Sequence, residues 1–325
     1  MANIQMKERN ISIDVIKFIA AVLITNSSFE ILYPISSLAT GGTMGNCLFF
    51  FASGFTIFLK PLGRFDQFYK KRINRIYPTV FAWALLSAIF FHNSKNMLEI
   101  ILYGGGWFIS CIMILYIFLY VVNKTLSKQL ILSGIISFVA VMIWFFMIDK
   151  DSNSSFYGDN SFFRWSFYFL FMLLGAISGV YQEKITHNFG SSLAILILSI
   201  LVFYAMLYYS RQNIIPKEIE IISILPLLGM TMYFYKLGGT AFLKKIYNHK
   251  IFGAAIKIIG GLCLEIYLVQ ASLLTAKMND IFPLNLIVMF LIIVIAAYIL
   301  RCTARLFSQI FKDQDLDYKK IFRLY

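Results

Sequence analysis

Asp14 and Lys17 stand three residues apart at the start of the first apolar run, IDVIKFIAAVLITNSSFE. At that spacing a carboxylate and an ammonium share a helix face and can pair. Ser28 lies eleven residues beyond Lys17, close to three turns, so it projects from the same face about 16 Å further along the axis. Asn26 and Glu30 lie beside it. Ionisable groups inside an apolar run are costly and usually functional, and a polar face of this kind belongs against a bundle interior or a water-filled cavity. It reads as a route or reaction site running through a membrane. Two plainer accounts stand beside that one. The acid–base pair can be an interfacial anchor, and Ser and Asn are common hydrogen-bonding glue between membrane helices.

Four other stretches carry groups with chemical potential. FYKKRINRIYP, 68–78, places Arg72 and Arg75 three apart with Lys71 beside them and Pro78 after them. Guanidinium groups suit bidentate phosphate contacts, while the same cations also serve as membrane anchors and lipid-headgroup ligands. In LFFFASGF, 48–55, Ser53 and Gly54 interrupt an aromatic run, which implies a close helix contact. GGGWFIS, 104–110, sets three glycines before Trp107. That backbone would allow close approach of a substrate, although Trp is also the usual interfacial belt residue. Within GGLCLEIYLVQ, 260–270, Glu265 needs a partner or an aqueous lining. Of the three histidines, His187 and His249 fall in loops and His92 closes the third span.

The elements that position these groups are membrane helices. The chain is 325 residues long, 59% hydrophobic and only 14% charged, with mean hydropathy +0.75; a soluble domain carries about 25% charged residues. Apolar runs near 20 residues, the length that crosses the hydrocarbon, recur at about ten places: 13–32, 43–60, 76–92, 105–122, 130–148, 164–181, 189–208, 219–236, 255–275 and 284–304. They do not alternate as β-barrel strands do. The fold class expected is an all-α polytopic membrane protein forming a single domain over 1–325. Most of the 29 Lys and Arg fall in both tails and in the connections on their side, which places both termini in the cytoplasm. That distribution accounts for the net charge of +13 without nucleic acid as a partner. Cys47, Cys111, Cys263 and Cys302 lie in or beside apolar runs with no metal-ligand spacing and no disulfide framework. No metal is expected. The first run carries no cleavage site and is expected to stay as a span. The longest external loop, 149–163, either orders over a substrate or merely connects two helices.

Six segments, in order, resemble the acyltransferase 3 family of bacterial membrane proteins. ISIDVIKFIAAVLITNSS is similar to that family's opening Asp-x-x-Arg/Lys helix, and LFFFASGFTIFL to its Phe-Phe-x-x-Ser-Gly span. FYKKRINRIYPTVFAW resembles its Arg-x-x-Arg-Ile-x-Pro segment and GGWFISCIMILYIF its Trp-Phe-Leu helix. FYFLFMLLGAISG resembles its Phe-x-x-Gly helix and IGGLCLEIYLVQ its Ser-x-x-Ile-Tyr-Leu-x-His helix. The resemblance implies about ten membrane helices. It also implies transfer of an acyl group, commonly acetyl, from cytoplasmic acyl-CoA to a hydroxyl of a glycan or lipid-linked saccharide outside the bacterial inner membrane. It assigns Lys17 to the family's basic position and Arg72 and Arg75, with Lys71 beside them, to acyl-CoA binding. Trp107, Ser53 and Glu265 would face the substrates.

The resemblance also puts Ser28 where the family's catalytic histidine belongs, and Gln270 where a second histidine is common. An imidazole can take a hydroxyl proton near neutral pH. A serine is no base, and as a nucleophile it needs one nearby; Glu30, two residues on, points in the wrong direction along a helix. Three readings fit this departure: the chain uses another base, it is a non-catalytic relative, or the catalytic histidine has been substituted in this form. Two rival functions also need a polar path through a bundle, a glycan-precursor transporter or flippase and a non-catalytic partner in polysaccharide assembly. The chain shows no internal repeat of the kind many transporters carry.

Overall fold

The computed structural model describes residues 10–59, 61–91, 106–147, 161–310 and 315–324. His92 and nearly all of the 149–163 loop lie outside them. Among the described residues there are helices and no strands, as the apolar runs require. The helices are α1 (Ile11–Ser28), α2 (Gly42–Phe58), α3 (Phe65–Phe91), α4 (Trp107–Thr125), α5 (Leu130–Met147), α6 (Ser161–Val180), α7 (Phe189–Arg211), α8 (Ile224–Gly238), α9 (Ala241–Asn248), α10 (Lys250–Gly261), α11 (Cys263–Leu273), α12 (Leu284–Ile310) and α13 (Tyr318–Ile321). Eight of the described helices are long and apolar enough to cross a membrane, or nine if the bent pair α10–α11 is one span. The remaining expected span, α2, has 17 residues, about 26 Å of helix.

α2 is the centre of the bundle. Met44, Cys47, Leu48, Phe50, Phe51, Phe55 and Ile57 are all buried around it. It crosses α6 so closely that a Cβ on Gly54 would collide with the Met172 carbonyl, and one on Gly175 with the Phe51 carbonyl. Without a hydrophobic force between helices in lipid, such backbone approach is what small residues make possible. The close contact expected at Ser53–Gly54 is this crossing. α2 begins at Gly41, whose φ of +98° suits glycine alone. α6 is 61% buried over its span, whereas α5, α7 and α12 are 22%, 17% and 28% buried; these three bear the apolar surface a bilayer would cover.

Three boundaries differ from expectation, each for a physical reason. α3 begins eleven residues before the expected 76 and runs through Pro78 without a break. Lys and Arg are good helix formers, so the basic segment continues the helix that a hydropathy window ends. α12 likewise continues past 304 to Ile310. The expected span 255–275 is instead two helices meeting at 75°. The break follows the Gly260–Gly261 pair, a composition that favours sharp kinks.

Candidate active site

The Lys17 end of α1 opens into a cavity of about 450 Å³ bounded by α1, α2, α3, α4, α10, α11 and α12. Among the described residues its walls carry six cations, Lys17, Arg72, Arg75, Lys257, Arg301 and Arg305, against two carboxylates, Asp14 and Glu265. Gly260 lets α10 lie directly on α1: a Cβ there would stand 3.0 Å from the Asp14 carbonyl and 3.1 Å from the Phe18 nitrogen. Asp14 is buried, and Oδ2 accepts a 2.7 Å hydrogen bond from the Tyr247 hydroxyl. Tyr247 comes from α9, and Lys257 Nζ sits 4.7 Å from its ring centroid. Ser53 and Thr56, one turn apart on α2, form part of the same wall.

Arg72 and Arg75 both line this cavity, whereas Lys71, also on α3, is exposed and does not. The Arg72 guanidinium lies 5.1 Å from the Phe68 ring and 5.3 Å from the Tyr116 ring, contacts that hold a cation in place without neutralising it. Its Nε is buried with no hydrogen-bond partner among the described residues. Buried polar groups are normally partnered, so this donor is one that an anionic ligand would satisfy.

Glu265 has a partner that the sequence alone did not reveal. Arg301 grips it bidentately, Nε to Oε1 at 2.9 Å and a terminal nitrogen to Oε2 at 2.8 Å, and also donates to the Gly261 carbonyl. The two side chains are only 16% and 6% exposed. Arg301 falls inside the expected 284–304 span, and a guanidinium there was the signal that could have identified it as the counterion of Glu265. One turn on, Arg305 donates to the Ile321 carbonyl at 3.1 Å and to the Arg323 carbonyl. The segment 315–324 is thereby folded back beside the cavity.

The other end of α1 is built differently. Ser28 is its last residue, half-buried, and donates to the Ile24 carbonyl at 3.0 Å. Ser27 donates to the same carbonyl at 2.8 Å. Asn26 donates to the Thr40 carbonyl at 2.9 Å and the Leu38 carbonyl at 3.2 Å, and accepts from the Tyr33 hydroxyl at 2.5 Å. Burial pushes the Tyr33 phenol above its ordinary pKa. Asn26 thus ties down the connection to α2. Glu30 is exposed on the short 3₁₀ turn that follows α1. Ser28 is not among the residues lining the basic cavity, and Ala21, Ile24 and Thr25 between them are buried.

Trp107 also stands apart from the cavity lining. It stacks on Tyr168 with centroids 5.5 Å apart, and the Arg164 guanidinium lies 5.1 Å from its ring. Its neighbour Phe108 links the two regions, lining the cavity while packing on Phe49 at 4.9 Å and on Tyr267 at 4.9 Å. Gln270 is buried, and its Oε1 has no partner among the described residues. The structure therefore brings together Asp14, Lys17, Ser53, Arg72, Arg75 and Glu265. It leaves Ser28, Asn26, Glu30, Lys71 and Trp107 elsewhere. Sequence reasoning missed Arg301, Arg305, Lys257 and Tyr247.

Chemically, the cavity can bind a polyanion at its charged walls and lay an apolar arm against Phe49, Phe108, Ile109 and Ile112. A family model described as an acyltransferase domain matches residues 10–302. No curated protein and no solved structure matched the chain.

Proposed function

Since this chain belongs to the acyltransferase 3 family and is a multi-pass membrane acyltransferase, we propose that its donor is acyl-CoA, most simply acetyl-CoA, offered from the cytoplasm. The acceptor is a hydroxyl of a glycan or lipid-linked saccharide outside the bacterial inner membrane. The basic cavity carries this reading. Arg72 and Arg75 face it with Lys17, Arg301 and Arg305, and an apolar wall adjoins them. Phosphates would pair with the guanidinium groups while the thioester arm runs along the aromatic wall towards the Ser28 half of α1. Glu265 holds Arg301 at the cavity edge, and Trp107 lies on the acceptor side.

Position 28 would ordinarily supply the base, and a serine hydroxyl is no base near neutral pH; here it donates to the Ile24 carbonyl. The absence of an imidazole at this position favours a second reading, a form that binds its donor and transfers slowly or not at all. The test compares this chain with Ser28→His in proteoliposomes given labelled acetyl-CoA and a glycan acceptor. Acetyl transfer by the His form alone supports both the reaction and the role of position 28. Equal transfer by both removes position 28 from the chemistry, and transfer by neither overturns the acetyl-transfer reading.

A further inference from the structure

A second cavity, of about 710 Å³, adjoins the first and shares Asp14, Lys17 and Thr56 with it as walls. Its chemistry is different. Among the described residues it has no guanidinium group; beyond the shared Asp14, Lys17 and Thr56, its polar wall is made by Asn10, Ser12, Gln182, His187 and Lys244. Asn10 and Gln182 come from the start of α1 and the turn after α6, and the Asn10 amide donates to Gln182 Oε1 at 3.4 Å. Gly239 leaves room for the His187 ring, whose Nδ1 is 2.8 Å from the Lys236 carbonyl. A carbonyl only accepts, so Nδ1 is the donor in this contact.

We propose that this second cavity holds the nucleoside end of the acyl-CoA donor, with Asn10 and Gln182 reading the purine edge and Lys244 pairing with the ribose phosphate. The inference rests on the acyl-CoA reading above and extends it. Three observations support it. Pockets of about 300–1,000 Å³ suit drug-sized ligands, and the two cavities, each in that range, adjoin so that a ligand of roughly fifty non-hydrogen atoms such as acyl-CoA can span both. The donor is also chemically two-ended: a diphosphate followed by a pantetheine arm that ends in the thioester, and a neutral purine with one further phosphate. The guanidinium-rich cavity matches the first end. The second cavity, with amides, one imidazole and Lys244, matches the other. Carboxamides offer the adjacent donor and acceptor that an adenine edge requires, and an ammonium serves a single phosphate as a point charge. Lys17, shared by both cavities, marks the junction between the two ends.

The experiment measures binding of CoA, dephospho-CoA and 4′-phosphopantetheine to the full chain in nanodiscs. Lys244→Ala and Gln182→Ala are used because neither side chain is in the packed core. The parent should prefer CoA to dephospho-CoA by about tenfold, the scale of one charged contact, and Lys244→Ala should abolish that preference by weakening CoA alone. Gln182→Ala should weaken CoA and dephospho-CoA alike and leave 4′-phosphopantetheine unchanged. An unchanged CoA to dephospho-CoA ratio in Lys244→Ala overturns the proposal, as does equal weakening of 4′-phosphopantetheine by Gln182→Ala. A ratio that tracks the anionic-lipid content of the nanodisc assigns Lys244 to a headgroup and overturns the proposal as well. In each of these cases tight CoA binding by the parent leaves the donor reading standing, whereas failure of the parent to bind CoA at all removes both.

Discussion

The two halves of α1 are made from similar polar residues and do opposite things with them. At the Lys17 end, side chains from seven helices converge on open volume, and Arg72 Nε is left without a hydrogen-bond partner among the described residues. At the Ser28 end, Asn26 uses both amide donors and its oxygen within the chain, and Ser27 and Ser28 donate to one carbonyl. The difference separates binding from closure. A polar group with capacity left over can receive a ligand, whereas one fully engaged by its own backbone holds a loop in place. On the reading proposed above, the Lys17 end has groups for a donor, while Ser28, at the position proposed for the base, is no base.

That contrast can be broken first at Ser28. Ser28→His should raise acetyl transfer by about 10²–10⁴, the usual worth of a positioned general base. The gain should disappear as pH falls below about 6.5, because the added imidazole is then protonated; the rate–pH profile of the variant checks this. Next, Arg301→Ala should lower stability by roughly 3 kcal/mol or more, since it leaves Glu265 buried and unpaired. Replacing both residues with apolar ones should recover most of that loss in a thermal-shift measurement.

Arg72→Ala should weaken CoA binding by about 10–100-fold, the scale of one or two charged hydrogen bonds, with unaltered thermal stability as the control. Asn26→Ala should cost about 1–2 kcal/mol through unpaired loop carbonyls while CoA affinity holds. A large drop in affinity would join the two halves that the structure separates. Smallest of all, Lys71→Ala should change CoA affinity less than about twofold, since its side chain does not line the cavity.

The bundle was largely legible because hydropathy reports what lipid must cover. The site was legible only where a group was out of place by itself. Asp14 and Glu265 announced themselves as charges in apolar runs, but neither announced its partner. Tyr247 is 233 residues from Asp14 and Arg301 is 36 from Glu265, and those separations carry no periodic signal. Arg305, and the helical continuity of the segment that carries Arg72 and Arg75, were hidden for a related reason, as a hydropathy window stops at a charge that a helix passes through. Asn26 and Ser28 illustrate the converse. Helical spacing puts Ser28 on the Lys17 face, but spacing does not report how far the cavity at the Lys17 end extends, and its lining does not include Ser28.

The Glu265–Arg301 clasp also bears on how the last helices reach the bilayer during synthesis. An arginine at the middle of an apolar helix costs about 2.5–3.5 kcal/mol on insertion scales, and a carboxylate a similar amount. α11, one half of the bent pair, carries the carboxylate, α12 carries the arginine, and the connection 274–283 joins them. Pairing with Glu265, which precedes it in the chain, would remove that cost for Arg301 as α12 enters the bilayer.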